Sequence, residues 1–238
     1  MKRMFSFLGF GIFLFALTGC TTTGLSLREK GSFNYSNFIY GLYGKEKAVP
    51  SGVKKVVKPI KLAVAQVGEN TPPQAVLDKL QKESGMISQV MALPLGGNDY
   101  PDYYQNNNNN AKVEDFEKKM EKVQLLAQDL GADYIFLFGG STDYGYTPSF
   151  WQIFDITIIG AYIIPSTKHE VEGRVSGALI DAKDGRVVFV TEAQSNLIKY
   201  TPSYMNYYDG NNQILKQIRD DLVKKLTEEF VRKLAEVK

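Results

Sequence analysis

The sequence predicts an α/β fold: a three-layer mixed sheet that starts β-α-β-α-β, is extended by an antiparallel hairpin and ends in a long C-terminal helix. Three observations predict it. From Ile60 to Phe138, apolar runs of strand length alternate with helical patterns, which implies parallel strands joined by right-handed crossovers. After Gly140 the chain turns β-rich, with Asp184-Gly185 between two such runs as a hairpin signal. From about Asn212, Ile214, Ile218, Leu222, Leu226, Phe230 and Leu234 are spaced four apart, so one slowly drifting stripe covers a broad helix face.

Ile60 to Val67 is almost continuously apolar, as expected of a strand covered on both faces. Thr71-Pro72-Pro73-Gln74 reads as a capping box, with Thr71 as N-cap and Pro72 at the first helical position. It predicts a helix to about Glu83 that turns Val76, Leu77 and Leu80 inward. Ile87 to Leu93 is the second strand. Leu95 to Ala111 holds Tyr100, Tyr103, Tyr104 and the run Asn106 to Asn110; a segment this long and polar reads as a functional or mobile loop. Val113, Phe116, Met120, Val123, Ala127 and Leu130 then recur at spacings of three and four, one buried stripe that Gly131 closes. Tyr134 to Phe138 is the third strand. Gly139 to Pro148 reads as a wide hairpin. Trp151 to Ile164, Glu172 to Ile180 and Arg186 to Ile198 are expected as antiparallel strands, the last two joined by a type I′ turn at Asp184-Gly185.

The charge balance excludes one class of function. Of 28 Lys+Arg against 26 Asp+Glu, the surplus of +2 rests on Lys2 and Arg3, and residues 1–19 hold no acidic residue. The rest of the chain is electroneutral, so no basic excess is available to neutralise phosphates and no nucleic-acid partner is expected. Cys20 is the only cysteine and His169 the only histidine. That rules out an intrachain disulfide and a zinc site of the Cys/His type, which needs three or four such ligands. Neither a metal nor a cofactor is expected.

The first residues carry the most specific signal. Lys2 and Arg3 precede an apolar run, Phe5 to Leu17, shorter than the roughly 20 residues of a spanning helix and suited to a secretory signal. The run ends in Leu17-Thr18-Gly19-Cys20, which resembles the bacterial lipobox. The resemblance implies cleavage before Cys20 and acylation of its sulfur, so that the protein is held on a lipid bilayer without crossing it. Thr21, where an Asp would signal retention, implies the periplasmic face of the outer membrane. The expected organisation is therefore a signal peptide over 1–19, a lipidated tether over 20–58 and a periplasmic domain over 59–238. Within the tether, Lys45, Lys47, Lys54, Lys55 and Lys58 face Glu46 alone. That stretch reads as a solvated linker in preference to a contact with anionic lipid or glycan. Phe33, Tyr35, Phe38, Ile39, Tyr40, Leu42 and Tyr43 are too apolar for a linker and are expected to pack on the domain or on a partner.

Catalytic constellations are thin. Gly139-Gly140-Ser141-Thr142-Asp143 holds glycines and hydroxyls, but a phosphate loop needs a helix N-terminus next and here a β segment follows. A Ser141–His169–Asp triad lacks the Gly-x-Ser-x-Gly elbow, and His169 falls in a polar Lys168-His169-Glu170 turn. Asp181, Asp184 and Gly185 read as a hairpin turn, because the position-12 acid of a calcium loop is missing. Were the protein an enzyme, Asp143, Asp155 or Glu192 would be the acid–base candidates. No catalytic residue is assigned.

Tyrosine supplies the interaction candidates. Tyr134 and Tyr162 fall in expected strand cores. Tyr100, Tyr103, Tyr104, Tyr144, Tyr146, Tyr200, Tyr204, Tyr207 and Tyr208 gather in three expected loops, where rigid, amphipathic rings suit contact surfaces. All of these but Tyr200 form the candidate interaction surface.

Asp155 to Pro165, followed by Ser176 to Arg186, resembles the C-terminal half of rhombotarget-type bacterial lipoproteins. The element order from Ile60 to the last helix is similar to the periplasmic α/β domain of the TolB N-terminal region, the curli secretion lipoprotein and the penicillin-binding-protein activator lipoproteins. The resemblance implies a non-enzymatic envelope lipoprotein, an assembly or adaptor factor working through contacts with an envelope protein or a second copy of itself. The alternative is a glycan- or peptidoglycan-binding module using the same aromatics. The C-terminal Leu234-Ala235-Glu236-Val237-Lys238 has no Gly-Gly sorting tail, so a role as sortase substrate is not expected. A pore-forming hairpin has one weak candidate, Phe150 to Pro165.

Overall fold

In the computed structural model, residues 27–28, 56–67, 70–95, 111–202 and 207–237 are described. They form one mixed sheet with helices on both faces, the α/β fold the sequence predicts. The strands are β1 (Leu27–Arg28), β2 (Ile60–Gln66), β3 (Ile87–Ala92), β4 (Tyr134–Pro148), β5 (Thr167–Asp181) and β6 (Val187–Thr201). The α-helices are α1 (Gln74–Gln81), α2 (Ala111–Asp129), α3 (Ile158–Ile163) and α4 (Tyr207–Glu236), and a 3-10 helix, Phe150–Ile156, leads into α3. No helix among the described residues is long and apolar enough to cross a membrane.

The sheet order is β3-β2-β4-β5-β6, with β1 paired to β4. β2 runs parallel to both β3 and β4, and β5 is antiparallel to its neighbours. The first crossover moves one way along the sheet and the second moves back past β2. Right-handedness therefore places α1 and α2 on opposite faces. Val76 and Leu80 of α1 join α4 over Leu62, Val64, Phe136 and Leu179, while Met120, Val123 and Ala127 of α2 cover Ala63, Ala65, Ile135 and Ile180. Alternation along β2 thus feeds two cores, which is why its sequence reads as a nearly continuous apolar run broken only by Lys61 and Gln66.

α4 closes the first core. All six residues of its fourfold stripe are buried, and Phe230 sits with its ring centroid 4.1 Å from that of Phe136 and 5.5 Å from that of Phe189. The helix begins at Tyr207, five residues before the expected start, because its polar first turn precedes the stripe and carries no period. At its far side Leu130 is exposed, so the stripe of α2 ends at Ala127, and Gly131 closes the helix at φ 73° as expected.

Four other expectations need correction. α1 starts at Gln74, and Thr71 makes no cap: Pro73 stands at the N-cap position in an extended conformation without a side-chain cap bond. Pro73 also bars its predecessor Pro72 from the helical region. The wide hairpin at Gly139 to Pro148 is instead the second half of β4, fifteen residues long and paired throughout with β5. The glycine at 140 marks a close approach and not a turn, since a Cβ there would lie 2.5 Å from the Arg174 carbonyl oxygen. Trp151 to Ile164 is helical and not a strand. The β5–β6 turn falls where expected but spans four residues, since the Asp181 N–H donates to the Arg186 carbonyl. A type I′ turn would leave two. The Asp181 carboxylate accepts from the backbone N–H groups of Lys183 and Asp184 and so organises the wider loop, with Gly185 at φ 68°.

Candidate functional site

The distal halves of β4 and β5 reach beyond β2, whose pairing with β4 ends at Phe138. Past that point, among the described residues, only β1 pairs with this edge of β4, through Leu27 opposite Tyr144 and Arg28 opposite Asp143. Leu27–Arg28 of the expected tether therefore pair with the sheet. At the end of the hairpin β6 also stops, Thr201 lying opposite Thr167. An extended ribbon beyond this level would find no pairing strand among the described residues, and the chain instead satisfies its backbone locally and coils.

Side-chain caps set that tip. The Ser149 N–H donates to the Ser166 carbonyl at 2.7 Å and closes its base. The Ser149 hydroxyl accepts from the Trp151 N–H and opens the 3-10 helix. Thr157 Oγ1 accepts from the Gly160 N–H and donates to the Phe154 carbonyl, both at 2.9 Å, joining the two short helices. A Cβ at position 160 would lie 2.0 Å from the Phe154 carbonyl oxygen, so the junction requires glycine.

This arrangement leaves large apolar side chains in solvent. Phe150 is 76% exposed, Trp151 53%, Ile156 89% and Ile163 69%, and Ile153, Phe154 and Tyr162 are exposed as well. Trp151 and Phe154 stack at 5.9 Å and 25°, and Phe150 meets Trp151 edge-on at 6.0 Å. The rings pack on one another instead of on the sheet. A contiguous patch of this kind marks a contact surface. Asp155 is the only charged residue between Phe150 and Ile164, and its Oδ2 accepts from the Ser166 hydroxyl at 3.0 Å.

Below the tip, on the face that carries α4, lies a buried polar chain. The Tyr144 hydroxyl bonds to His169 Nδ1, and His169 Nε2 bonds to Thr201 Oγ1 at 2.6 Å. His169 is thus a buried strand residue and not part of a turn. Burial pushes its imidazole below the usual histidine range, and the Lys199 charge on β6 adds to the effect. Tyr146, half-buried, lies opposite His169 in the register. Both Tyr144 and Tyr146 therefore belong to β4, and neither offers a loop surface. Tyr207 and Tyr208 open α4, Tyr200 is an exposed residue of β6, and Tyr162 lies on α3. Tyr100, Tyr103, Tyr104, Tyr204, Cys20, Lys45, Lys47, Lys54, Lys55 and the tether aromatics lie outside the described residues, whereas Lys58 is half-buried and its ammonium donates to the carbonyls of Ala235 at 3.2 Å and Val237 at 2.8 Å.

The acid–base candidates are not brought together. Asp143 pairs across from Glu172, Glu192 pairs across from Ser176, and Asp155 sits on the tip. Asp143 and Glu192 are two strands and four residues apart, roughly 16 Å at ordinary sheet spacings. Ser141 pairs opposite Arg174, five residues along β5 from His169, so no triad assembles. No group of three metal-ligating residues occurs among the described residues.

The outer edge of the sheet was not anticipated. No strand lies beyond β6 among the described residues. Lys233 of α4 donates to the Val190 carbonyl at 2.6 Å, and Lys225 reaches the Gln194 carbonyl at 3.5 Å. Those carbonyls face outward, so by antiparallel alternation the backbone groups of Asn196, Ile198 and Tyr200 face outward too. Ile198 and Tyr200 are 51% and 54% exposed. The lysines blunt one half of the edge, and the half nearer the tip is covered by no strand or helix among the described residues. A sequence signal existed in the eightfold spacing of Lys225 and Lys233, but its meaning depends on where α4 lies.

No family model matches the sequence, and no curated protein matches it. Among solved structures the chain is similar to a PelC dodecamer from Paraburkholderia phytofirmans, at 14% identity over 74% of this chain and 91% of that one, with a TM-score of 0.34. It is also similar to lipoprotein GNA1162 from Neisseria meningitidis, at 13% identity over 68% of this chain and 99% of that one, TM-score 0.26. A neuraminyllactose-binding hemagglutinin homologue from Helicobacter pylori matches at 10% identity over 80% of this chain and 89% of that one, TM-score 0.34. Likeness at this level carries no functional argument.

Proposed function

We propose that this chain is a non-catalytic lipoprotein of the bacterial envelope, anchored through acylated Cys20 at the periplasmic face of the outer membrane, that acts by docking another protein onto its sheet. The observation that carries the docking reading is the half-open edge of β6. Strand edges recruit extended segments by main-chain pairing, with alternate side chains supplying selectivity. Here the outward backbone groups of Asn196, Ile198 and Tyr200 face no strand among the described residues, and the side chains of Ile198 and Tyr200 are exposed beside them. The lipobox-like Leu17-Thr18-Gly19-Cys20 supports the anchor. The dispersal of Asp143, Asp155 and Glu192 supports a role without catalysis.

The test is photocrosslinking in the native envelope from a benzoylphenylalanine placed at Ile198. A discrete adduct is expected, with a protein partner or a second copy. Asn196→Pro removes an outward N–H and leaves the β5 ladder intact, so it should abolish the adduct without unfolding the chain. Capture that survives Asn196→Pro would remove the edge from the reading. The second reading, a glycan- or peptidoglycan-binding module, is favoured by exposed Trp151 and Phe154, and retention on purified sacculi tests it.

A further inference from the structure

The geometry points to the Phe150–Ile163 tip as a second membrane contact, seated on the surface of the bilayer that holds the Cys20 anchor. This rests on the anchored reading above and assigns the tip its occupant.

The first argument is chain direction. β1 is antiparallel to β4, Leu27 lying opposite Tyr144 and Arg28 opposite Asp143. Going back from Leu27 toward Cys20, the chain leaves β1 in the direction in which β4 runs to its tip. Cys20 is seven residues before Leu27, a reach of at most about 25 Å. From Tyr144 to Pro148, where β4 ends, is roughly 13 Å. That reach exceeds the distance from Leu27 to the tip, so a bilayer that receives the acyl chains lies within reach of the apolar patch.

The chemistry of the patch is the second argument. Trp151 and Tyr162 are the residue types that favour the headgroup level, and Phe150, Ile153, Phe154, Ile156 and Ile163 supply apolar surface beside them. A carboxylate is the only charge on the tip, and Ser166 engages it. The helices have seven and six residues. The longer would extend about 14 Å even as a 3-10 helix, against a hydrocarbon core of about 30 Å. The tip can lie in an interface and cannot span one, so the one candidate segment for a pore-forming hairpin suits a shallow contact. With no basic residue on the tip, its seating should depend little on anionic lipid or on salt.

Trp151 is the only tryptophan in the chain and reports on the tip directly. Full-length protein purified from its own membrane is reconstituted into phosphatidylcholine vesicles with and without dibrominated acyl chains. The Trp151 emission should shift to the blue, fall about twofold or more with the brominated lipid, and become shielded from acrylamide. Phe150→Glu with Ile156→Glu, both at exposed positions, should abolish that quenching while the far-ultraviolet circular dichroism stays unchanged. An acrylamide-accessible, unquenched Trp151 overturns the contact. So does a Trp151 shielded from acrylamide but untouched by bromine, which would mean that protein covers the tip. Mass spectrometry of the N-terminal peptide separates the two readings. Quenching without lipid on Cys20 overturns the anchor and supports the tip, whereas lipid on Cys20 without quenching overturns the tip alone.

Discussion

The Lys233 ammonium donates to the Val190 carbonyl oxygen at 2.6 Å, so a side chain of the C-terminal helix occupies a hydrogen-bonding position that a neighbouring strand would otherwise take. Lys225, held by Asp221 at 2.7 Å, does the same less closely at Gln194. Docking of α4 therefore decides how much of β6 remains available.

Replacing both lysines should lengthen the open edge. Lys225→Met with Lys233→Met is expected to raise self-association, seen as a concentration-dependent increase in mass by light scattering. Lys233→Met alone should lower stability by about 1–2 kcal/mol, since a hydrogen bond from a charged group to a half-buried carbonyl is lost. A monodisperse double variant would show that the lysines do not guard the edge.

Phe230 is fully buried between Phe136 and Phe189. Phe230→Ala should cost about 3–5 kcal/mol in urea unfolding, from lost transfer energy and the cavity left between helix and sheet. A cost below 1 kcal/mol would mean that α4 is not packed as described.

Glycine substitutions should divide by contact. At Gly140 a new Cβ meets the Arg174 carbonyl and Val175 backbone, whereas at Gly85 nothing lies within 4 Å. Gly140→Ala is expected to destabilise by about 1–3 kcal/mol, and Gly85→Ala to be neutral or to stabilise by about 0.5 kcal/mol. Equal melting temperatures would contradict the pairing of β4 with β5 at this point.

His169 makes stability depend on pH. Its folded imidazole is held below the ordinary value of 6.5, chiefly by burial. The unfolded chain therefore takes up the proton first as pH falls. Stability from this group is complete above 6.5, is lost as pH falls below 6.5, and stops changing only below the depressed folded value. His169→Gln should flatten the melting temperature between about pH 7.5 and pH 5 relative to the parent. An unchanged slope would exclude His169 as its source.

Local patterns carried much of the fold. The nearly continuous apolar run of β2, the stripes of α2 and α4 and the terminating Gly131 are short-range features, and each of these elements exists where its pattern predicts one. The boundaries that failed did so for local reasons of a different kind. Pro73 barred Pro72 from the helix, and a polar first turn hid the start of α4. Of the candidate surface, Tyr144 and Tyr146 were misplaced because Gly139-Gly140 reads as a turn when nothing shows that β5 approaches it.

The lipobox-like segment at Cys20, the electroneutral remainder and the order of helices and strands are properties of the sequence alone, because each rests on residue types at short spacing. The tip and the open edge were decided by tertiary structure. An apolar run such as Trp151 to Ile164 suits a strand or a helix equally, and here, with no strand among the described residues to pair it beyond Pro148 and Thr201, it forms exposed helix. Whether β6 ends the sheet, and which of its carbonyls lysines cover, follows from the packing of α4, more than 20 residues away along the chain.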